Sequence, residues 1–256
     1  MADEAQATFA VINLQETWSV HKHFNLSGYH PLVSQSRDSS KNPNSNCGGG
    51  IATYISRNIE FEKLVDLSVF KPGTYESLWF LITVGKGKKA KQLIIGNVYK
   101  PPKAIFSEVM STLSSALLKI KNDKLLNKCK LIVTSDFNID ISLGGVNDNV
   151  NEYLNSHFQF GLHPLITLPT RVTDTSSTVL DHIFVKPLPP DCISAVLQIR
   201  ISDHFATVFS DSTILTTLSG IPRKIRKINK DTIPAFVSLL KGINYFFDEE
   251  QPKEVL

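Results

Sequence analysis

Short apolar runs, rich in β-branched residues and bounded by turn residues, recur at residues 10–14, 51–55, 78–84, 92–98, 130–134, 179–180 with 183–185, 195–201 and 205–209. Brief runs of this kind read as strands, several of them buried on both faces. Residues 78–84 and 92–98 flank Gly85-Lys86-Gly87-Lys88-Lys89-Ala90-Lys91, which predicts a hairpin with a lysine-rich tip, read as a solvated turn rather than a DNA contact. Pro101-Pro102 stops the second strand, and from Phe106 onward Val109, Met110, Leu113, Leu117 and Ile120 keep the spacing of an amphipathic helix. A shorter helix is expected over 147–158, with Val150, Tyr153, Leu154 and Phe158 facing inward. Hairpins mixed with helices predict an α/β fold of two packed, largely antiparallel sheets with helices outside. After residue 212 the pattern changes to Pro222-Arg223-Lys224-Ile225-Arg226-Lys227, so a domain over 1–212 and a basic, weakly helical tail over 213–256 are expected.

Composition narrows the class without naming a function. At 256 residues, 42% hydrophobic and 20% charged, the chain is an ordinary globular protein rather than a fibrous or disordered one. A net charge of +3 tolerates a polyanionic partner but does not require one. Cys47, Cys129 and Cys192 are odd in number and lack a Cys-x-x-Cys pair, which argues for reduced thiols and against a zinc site. No apolar run approaches the roughly 20 residues of a membrane span, and the start lacks a signal pattern, so an intracellular protein without a membrane partner is expected.

The candidate chemistry lies where strands end. Four apolar runs finish in residues able to hold a metal ion or move a proton: Gln15-Glu16, Asp136 with Asn138, Asp181-His182 and Asp203-His204. Each alone is a common solvated or turn sequence, but ligands in sheet proteins gather beyond one set of strand ends, so four such ends point to convergence. Glu16 suits a hard divalent cation such as magnesium, which offsets the cost of burying a carboxylate. Asp136 and Asn138 lie two apart, on the same side of an extended backbone, and together can orient a water and grip a phosphate. Asp181 with His204 forms a candidate carboxylate-imidazole couple, while His182 alternates to the other side and reads as structural. Gly48-Gly49-Gly50 invites a phosphate-loop reading, but no Gly-Lys-Ser/Thr follows and the next element is a strand; a close-packed or bulged strand entry is expected.

Seven motifs in order then carry a resemblance: Leu14-Gln15-Glu16-Thr17-Trp18, Gly49-Gly50-Ile51-Ala52, Asn97-Val98-Tyr99-Lys100-Pro101-Pro102, Ser135-Asp136-Phe137-Asn138, Leu168-Pro169-Thr170-Arg171, Ser177-Thr178-Val179-Leu180-Asp181-His182-Ile183 and Ser202-Asp203-His204. Over residues 10–210 they resemble the endonuclease/exonuclease/phosphatase family, and within it the apurinic-type endonuclease domain of non-LTR (LINE-type) retrotransposons. The resemblance implies a four-layer α/β sandwich. It also implies Mg2+-dependent hydrolysis of a DNA phosphodiester, with Mn2+ as the substitute ion, leaving a 3′-hydroxyl that primes reverse transcription. Carried over, Glu16 holds the metal with Asp203 beside it, and Asp136 with Asn138 aligns the attacking water. His204 contacts the phosphate or takes a proton, Asp181 orients it, and Tyr99 sits by the phosphate. Thr170, Arg171 and Asn97 are the implied substrate contacts. DNA is the implied partner, with a reverse transcriptase domain in the natural polyprotein, and the place of action is the nucleus.

Two positions depart from the family pattern. Ser135 stands where Gly is usual. The family's first strand, which bears a metal-site Asn, and the helix after it do not fit into residues 1–13, and Asn13 lies on the Glu16 strand itself. If this is the whole protein, reduced or abolished cleavage is expected. An impaired relic of such a domain, or a phosphatase of the same fold, are the readings set beside the endonuclease.

Overall fold

The computed structural model describes residues 9–18, 25–35, 48–198 and 202–212, all within the compact unit 7–219. The expected basic tail lies outside the described residues, as do Cys47 and residues 36–46 before it.

The first strands are β1 (Val11–Gln15), β2 (Val33–Gln35), β3 (Ile51–Ile55), β4 (Glu60–Lys63), β5 (Phe70–Lys71), β6 (Tyr75–Val84) and β7 (Lys91–Tyr99). Helix α1 (Phe106–Asn122), β8 (Lys130–Asp136) and α2 (Asp148–Phe158) follow. The remainder is β9 (His163–Pro164), β10 (Arg171–Val172), β11 (Ser177–Thr178), β12 (Asp181–Lys186), β13 (Cys192–Leu197) and β14 (Ala206–Asp211). The large sheet runs β4-β6-β7-β8-β12-β9, with β5 also on β6, and the small sheet runs β1-β3-β2. All pairings are antiparallel except β7 with β8, which α1 joins as a crossover.

Alternation along the strands of the large sheet sends its two faces into two cores. Trp79, Ile94, Val98, Leu131, Val133 and Phe184 meet α1 and α2. Leu78, Phe80, Ile82, Leu93, Ile132, Ile183 and Val185 meet Ile51 and Ile55 of the small sheet, with Val196 and Phe209 of the β13–β14 hairpin against the same core. Two packed, antiparallel-dominated sheets with helices outside are thus what the chain builds, and both described helices cover the large sheet.

The stripe read on α1 is buried as spaced, with Ala116 added. On α2 the inward face is rotated: Val150, Tyr153 and His157 are buried, whereas Phe158, expected inward, is 46% exposed. His157 stacks on Phe184 at 3.9 Å between ring centroids, and its Nδ1–H donates to the Tyr153 carbonyl at 2.8 Å. An imidazole bonded through Nδ1 and stacked on an aromatic ring therefore takes the core position, with its buried Nε2 left without a partner among the described residues. The Cys129 and Cys192 thiols are free and half-buried.

Between the sheets lies one polar layer. The Asn13 amide donates to Thr134 Oγ1 at 2.8 Å and accepts from Thr53 Oγ1 at 2.8 Å. Gln15 Nε2 donates to Asn97 Oδ1 at 2.6 Å, and Asn97 Nδ2 donates to the carbonyls of Leu14 and Ala52. Buried polar groups that satisfy one another specify a single arrangement, and here they fix β1 against β7 directly beneath Glu16.

Candidate active site

Strand register places four side chains in one row across the large sheet: Glu76 pairs with Tyr99, Tyr99 with Asp136, and Asp136 with Asp181. Cross-strand partners share a face, and the Glu76 position is in phase with Leu78, Phe80 and Ile82, which face the small sheet. Glu16, just beyond the end of β1, comes to this row from the opposite sheet, where the Tyr99 hydroxyl donates to Glu16 Oε1.

Crowded carboxylates shape the electrostatics. Asp136 is only 5% exposed; burial first, then the charge of Asp181, push its carboxyl up to about 7, against the pull of His204 and the Asn138 N–H. Tyr99 is held far above the usual phenol range by burial and by Glu16, so it remains a protonated donor. Lys100, next along the chain, is lowered by burial and partly restored by Asp136.

His204 Nδ1–H donates to Asp181 Oδ2 at 2.9 Å, which raises the imidazole's basicity and leaves Nε2 as the nitrogen available to a substrate. Its loop is held locally: Ser202 Oγ accepts the His204 N–H at 3.1 Å and donates to the His204 carbonyl at 3.0 Å. One ligand atom each from Asp136, Asp181 and His204 lies within 4.8 Å of the others. Two carboxylates, one of them hindered from ionising by burial and by its acidic neighbour, form a donor set that suits a hard divalent cation, because such an ion offsets both costs.

Asn138 adopts φ 49°, its N–H donates to Asp136 Oδ1 at 3.2 Å, and its amide donates to the Lys100 carbonyl at 3.0 Å. It is therefore fixed beside Asp136 by the chain that also carries Tyr99.

Several expected residues stand elsewhere. Asn97, expected as a substrate contact, is 0% exposed and its amide is spent between the sheets, so it offers a substrate no surface. Thr170, also expected to touch the substrate, is 0% exposed; its Oγ1 accepts the N–H groups of Leu180 at 3.0 Å and Asp181 at 3.1 Å, and its carbonyl accepts Phe205 N–H at 2.7 Å. Its small hydroxyl fits where the Asp181 and His204 segments meet, and it holds them together. Asp203, expected beside the metal, is not in the Asp136–Asp181–His204 group: its carboxylate accepts from Arg171 Nε at 2.8 Å on the exposed rim. Arg171 is engaged there too. Ser135 lies within β8 rather than in a turn and pairs with His182. His182 Nε2–H donates to the Val179 carbonyl at 3.0 Å and Nδ1 accepts from the Tyr153 hydroxyl at 2.9 Å, on the helix side of the sheet. Glu76 was not singled out in the sequence; its signal is an acid in phase with an apolar strand that follows it.

The lysine-rich hairpin tip is remote from the row. Lys91 and Tyr99 are the two ends of the 9-residue β7, about 26 Å apart along the strand at roughly 3.3 Å per residue step.

A model of the endonuclease/exonuclease/phosphatase family matches residues 2–204. Among solved structures, the endonuclease domain of TRAS1, a telomere-specific non-LTR retrotransposon, is similar at 14% identity with a TM-score of 0.59, over 79% of this chain and 86% of that one. An endonuclease/exonuclease/phosphatase family protein from Leptotrichia buccalis is similar at 16% identity and a TM-score of 0.52, over 79% and 87%. A mannosyl-6-phosphatase from Bacteroides thetaiotaomicron is similar at 14% and 0.51, over 79% and 85%. At these identities the likeness is one of fold. Comparison with curated proteins finds no match.

Proposed function

Because the chain belongs to the endonuclease/exonuclease/phosphatase family, we propose that it is a divalent-metal-dependent phosphodiester hydrolase that nicks DNA and leaves a 3′-hydroxyl, as the endonuclease of a non-LTR retrotransposon. The observation that carries the reading is the Tyr99–Asp136–Asp181 row with His204 paired to Asp181 and Glu16 facing it. The seven ordered motifs support the retrotransposon branch, and the likeness of fold to the TRAS1 domain agrees with it.

Asp136, Asp181 and Glu16 would hold the ion, which when bound supplies positive charge to the phosphate and to the leaving oxygen. The chain's own residues do the rest. Asp136, ionised when it holds the ion, and Asn138 fixed beside it limit where the attacking water stands. The Asp181 carboxylate fixes the His204 tautomer, so that Nε2 can meet a phosphate oxygen. Protonated His204 would donate a hydrogen bond to the charge that develops there. A reverse transcriptase domain in the same polyprotein is the partner that would use the 3′-hydroxyl.

The test is nicking of supercoiled plasmid in Mg2+, in Mn2+ and in EDTA, followed by polymerase extension of the nick. Extendable nicks that need the metal, and that fall by roughly 100-fold or more in Asp136→Ala and His204→Ala, are the expected result. Nicking that persists in EDTA or in both variants overturns it. Hydrolysis of phosphate monoesters without nicking would instead assign a phosphatase, and DNA binding without cleavage an impaired domain.

A further inference from the structure

We propose that Glu76 is a positioning residue which, through the glycine turn ahead of β3, sets where Glu16 stands relative to Tyr99 and Asp136. Its consequence for activity rests on the hydrolase reading above, whereas its consequence for Glu16 does not.

Glu76 is wholly buried at the start of β6, where the alternation of Leu78, Phe80, Ile82 and Val84 would place another apolar side chain. A carboxylate is costly at such a position and persists only where a partner uses it. One partner is the Gly50 N–H, which donates to Glu76 Oε2 at 2.7 Å. Gly49 and Gly50 have φ of 98° and 89°, a conformation open to glycine and strained for other residues. Their carbonyls in turn accept the chain just after Glu16: Gly50 O takes Thr17 N–H at 3.1 Å, and Gly49 O takes Trp18 N–H at 2.9 Å.

Glu16 immediately precedes these two amides and itself has φ 52°, as does Trp18. A left-handed conformation in non-glycine residues persists when the surroundings hold it. The glycine carbonyls hold the backbone just after Glu16, and the Tyr99 hydroxyl holds its carboxylate. Glu76 and Tyr99 are cross-strand neighbours, so one row of the large sheet grips Glu16 twice: by its backbone through the glycine turn and by its carboxylate through the phenol. The same turn explains Gly49-Gly50 without a phosphate ligand, since its amide is given to a carboxylate of the protein itself.

The test compares Glu76→Ala with Glu76→Gln in the full chain. Amide hydrogen exchange is read at Gly50, Thr17 and Trp18, with the α1 amides as the internal record of global opening, and Mn2+ binding is read by electron paramagnetic resonance. In Glu76→Ala, exchange at Thr17 and Trp18 is expected to accelerate roughly 100-fold or more while α1 keeps its protection, and Mn2+ affinity to fall about tenfold or more. Glu76→Gln retains an oxygen that accepts the Gly50 N–H and is expected to restore both. Unchanged exchange at Thr17 and Trp18 in Glu76→Ala overturns the proposal, as does equal acceleration in α1 or a Glu76→Gln variant as impaired as the alanine. If the wild type binds no Mn2+ and nicks nothing, the hydrolase reading falls, and the exchange measurement still decides the role of Glu76.

Discussion

At Asp136, the role proposed for the carboxylate and the stability of the fold pull in opposite directions. Its carboxyl is buried beside Asp181 and within the field of Glu16, and is pushed up to about 7 from an ordinary value of 3.8. An acid whose folded pKa exceeds its unfolded one weakens the fold once the pH passes the folded value, and the penalty disappears below the unfolded value. Asp136→Asn is therefore expected to raise the stability of the metal-free protein at pH 8 by a few kcal/mol, since each tenfold change in proton affinity is worth about 1.4 kcal/mol. The difference should close as the pH falls from about 7 towards 4, which calorimetric melts in EDTA at several pH values check. Thr170 gives the opposite lesson: an expected contact to substrate is an internal clamp, since its hydroxyl accepts two amides of the Asp181 turn and its carbonyl a third beside His204. Residue type at 170 was legible in the sequence, but the direction of its side chain was not, because that depends on a turn that closes over it from residues 180 and 181.

Among the elements, the β6–β7 hairpin carries Glu76 and Tyr99 of the row, and its packing leaves no slack. Gly96 on β7 pairs with the buried Trp79 on β6, and a Cβ added at Gly96 would lie 2.6 Å from the indole ring. Trp79 is 0% exposed and has nowhere to move, so Gly96→Ala is expected to cost about 1–3 kcal/mol. Urea melts measure this, and local displacement of the neighbouring Asn97 would loosen β1 as well. The hairpin itself was legible from two apolar runs around a glycine-lysine turn, as was the α1 stripe, because both are signals within a short window of sequence. The inward face of α2 was only partly legible. Periodicity admits Phe158 or His157, and the choice follows from the Phe184 ring that β12 presents to the helix.

The described residues pack a large sheet on a small one, and the junction is polar near the site and apolar further down. On the reading proposed above, Asp136 and Asp181 with Glu16 would give the folded chain a site for an ion that the unfolded chain lacks. Mg2+ or Mn2+ at 100 times its dissociation constant is then expected to add about 2.7 kcal/mol, or roughly 5–10 °C in melting temperature for a domain of this size. The increment should grow from pH 6 to pH 8, because the metal requires the carboxylate form of Asp136, and vanish in Asp136→Asn. Differential scanning fluorimetry with and without EDTA reads both effects.

By itself the sequence determined the longer strands, the long helix and the polar residues at the strand ends, because alternation, helical spacing and turn chemistry are written locally in the chain, whereas short strands such as β2, β4 and β9 carry too few residues for a pattern. It also carried the ordered motifs of the family. The tertiary structure alone decided which of those residues stand together. Strand register aligns Glu76, Tyr99, Asp136 and Asp181 in one row, and a slip of one residue would turn any of them to the opposite face. Burial withdrew Asn97 and Thr170 from the surface, an exposed ion pair with Arg171 drew Asp203 aside, and a buried acid that no motif marked was placed behind Glu16. Those outcomes depend on contacts between segments distant in the chain, whose energies no local pattern contains.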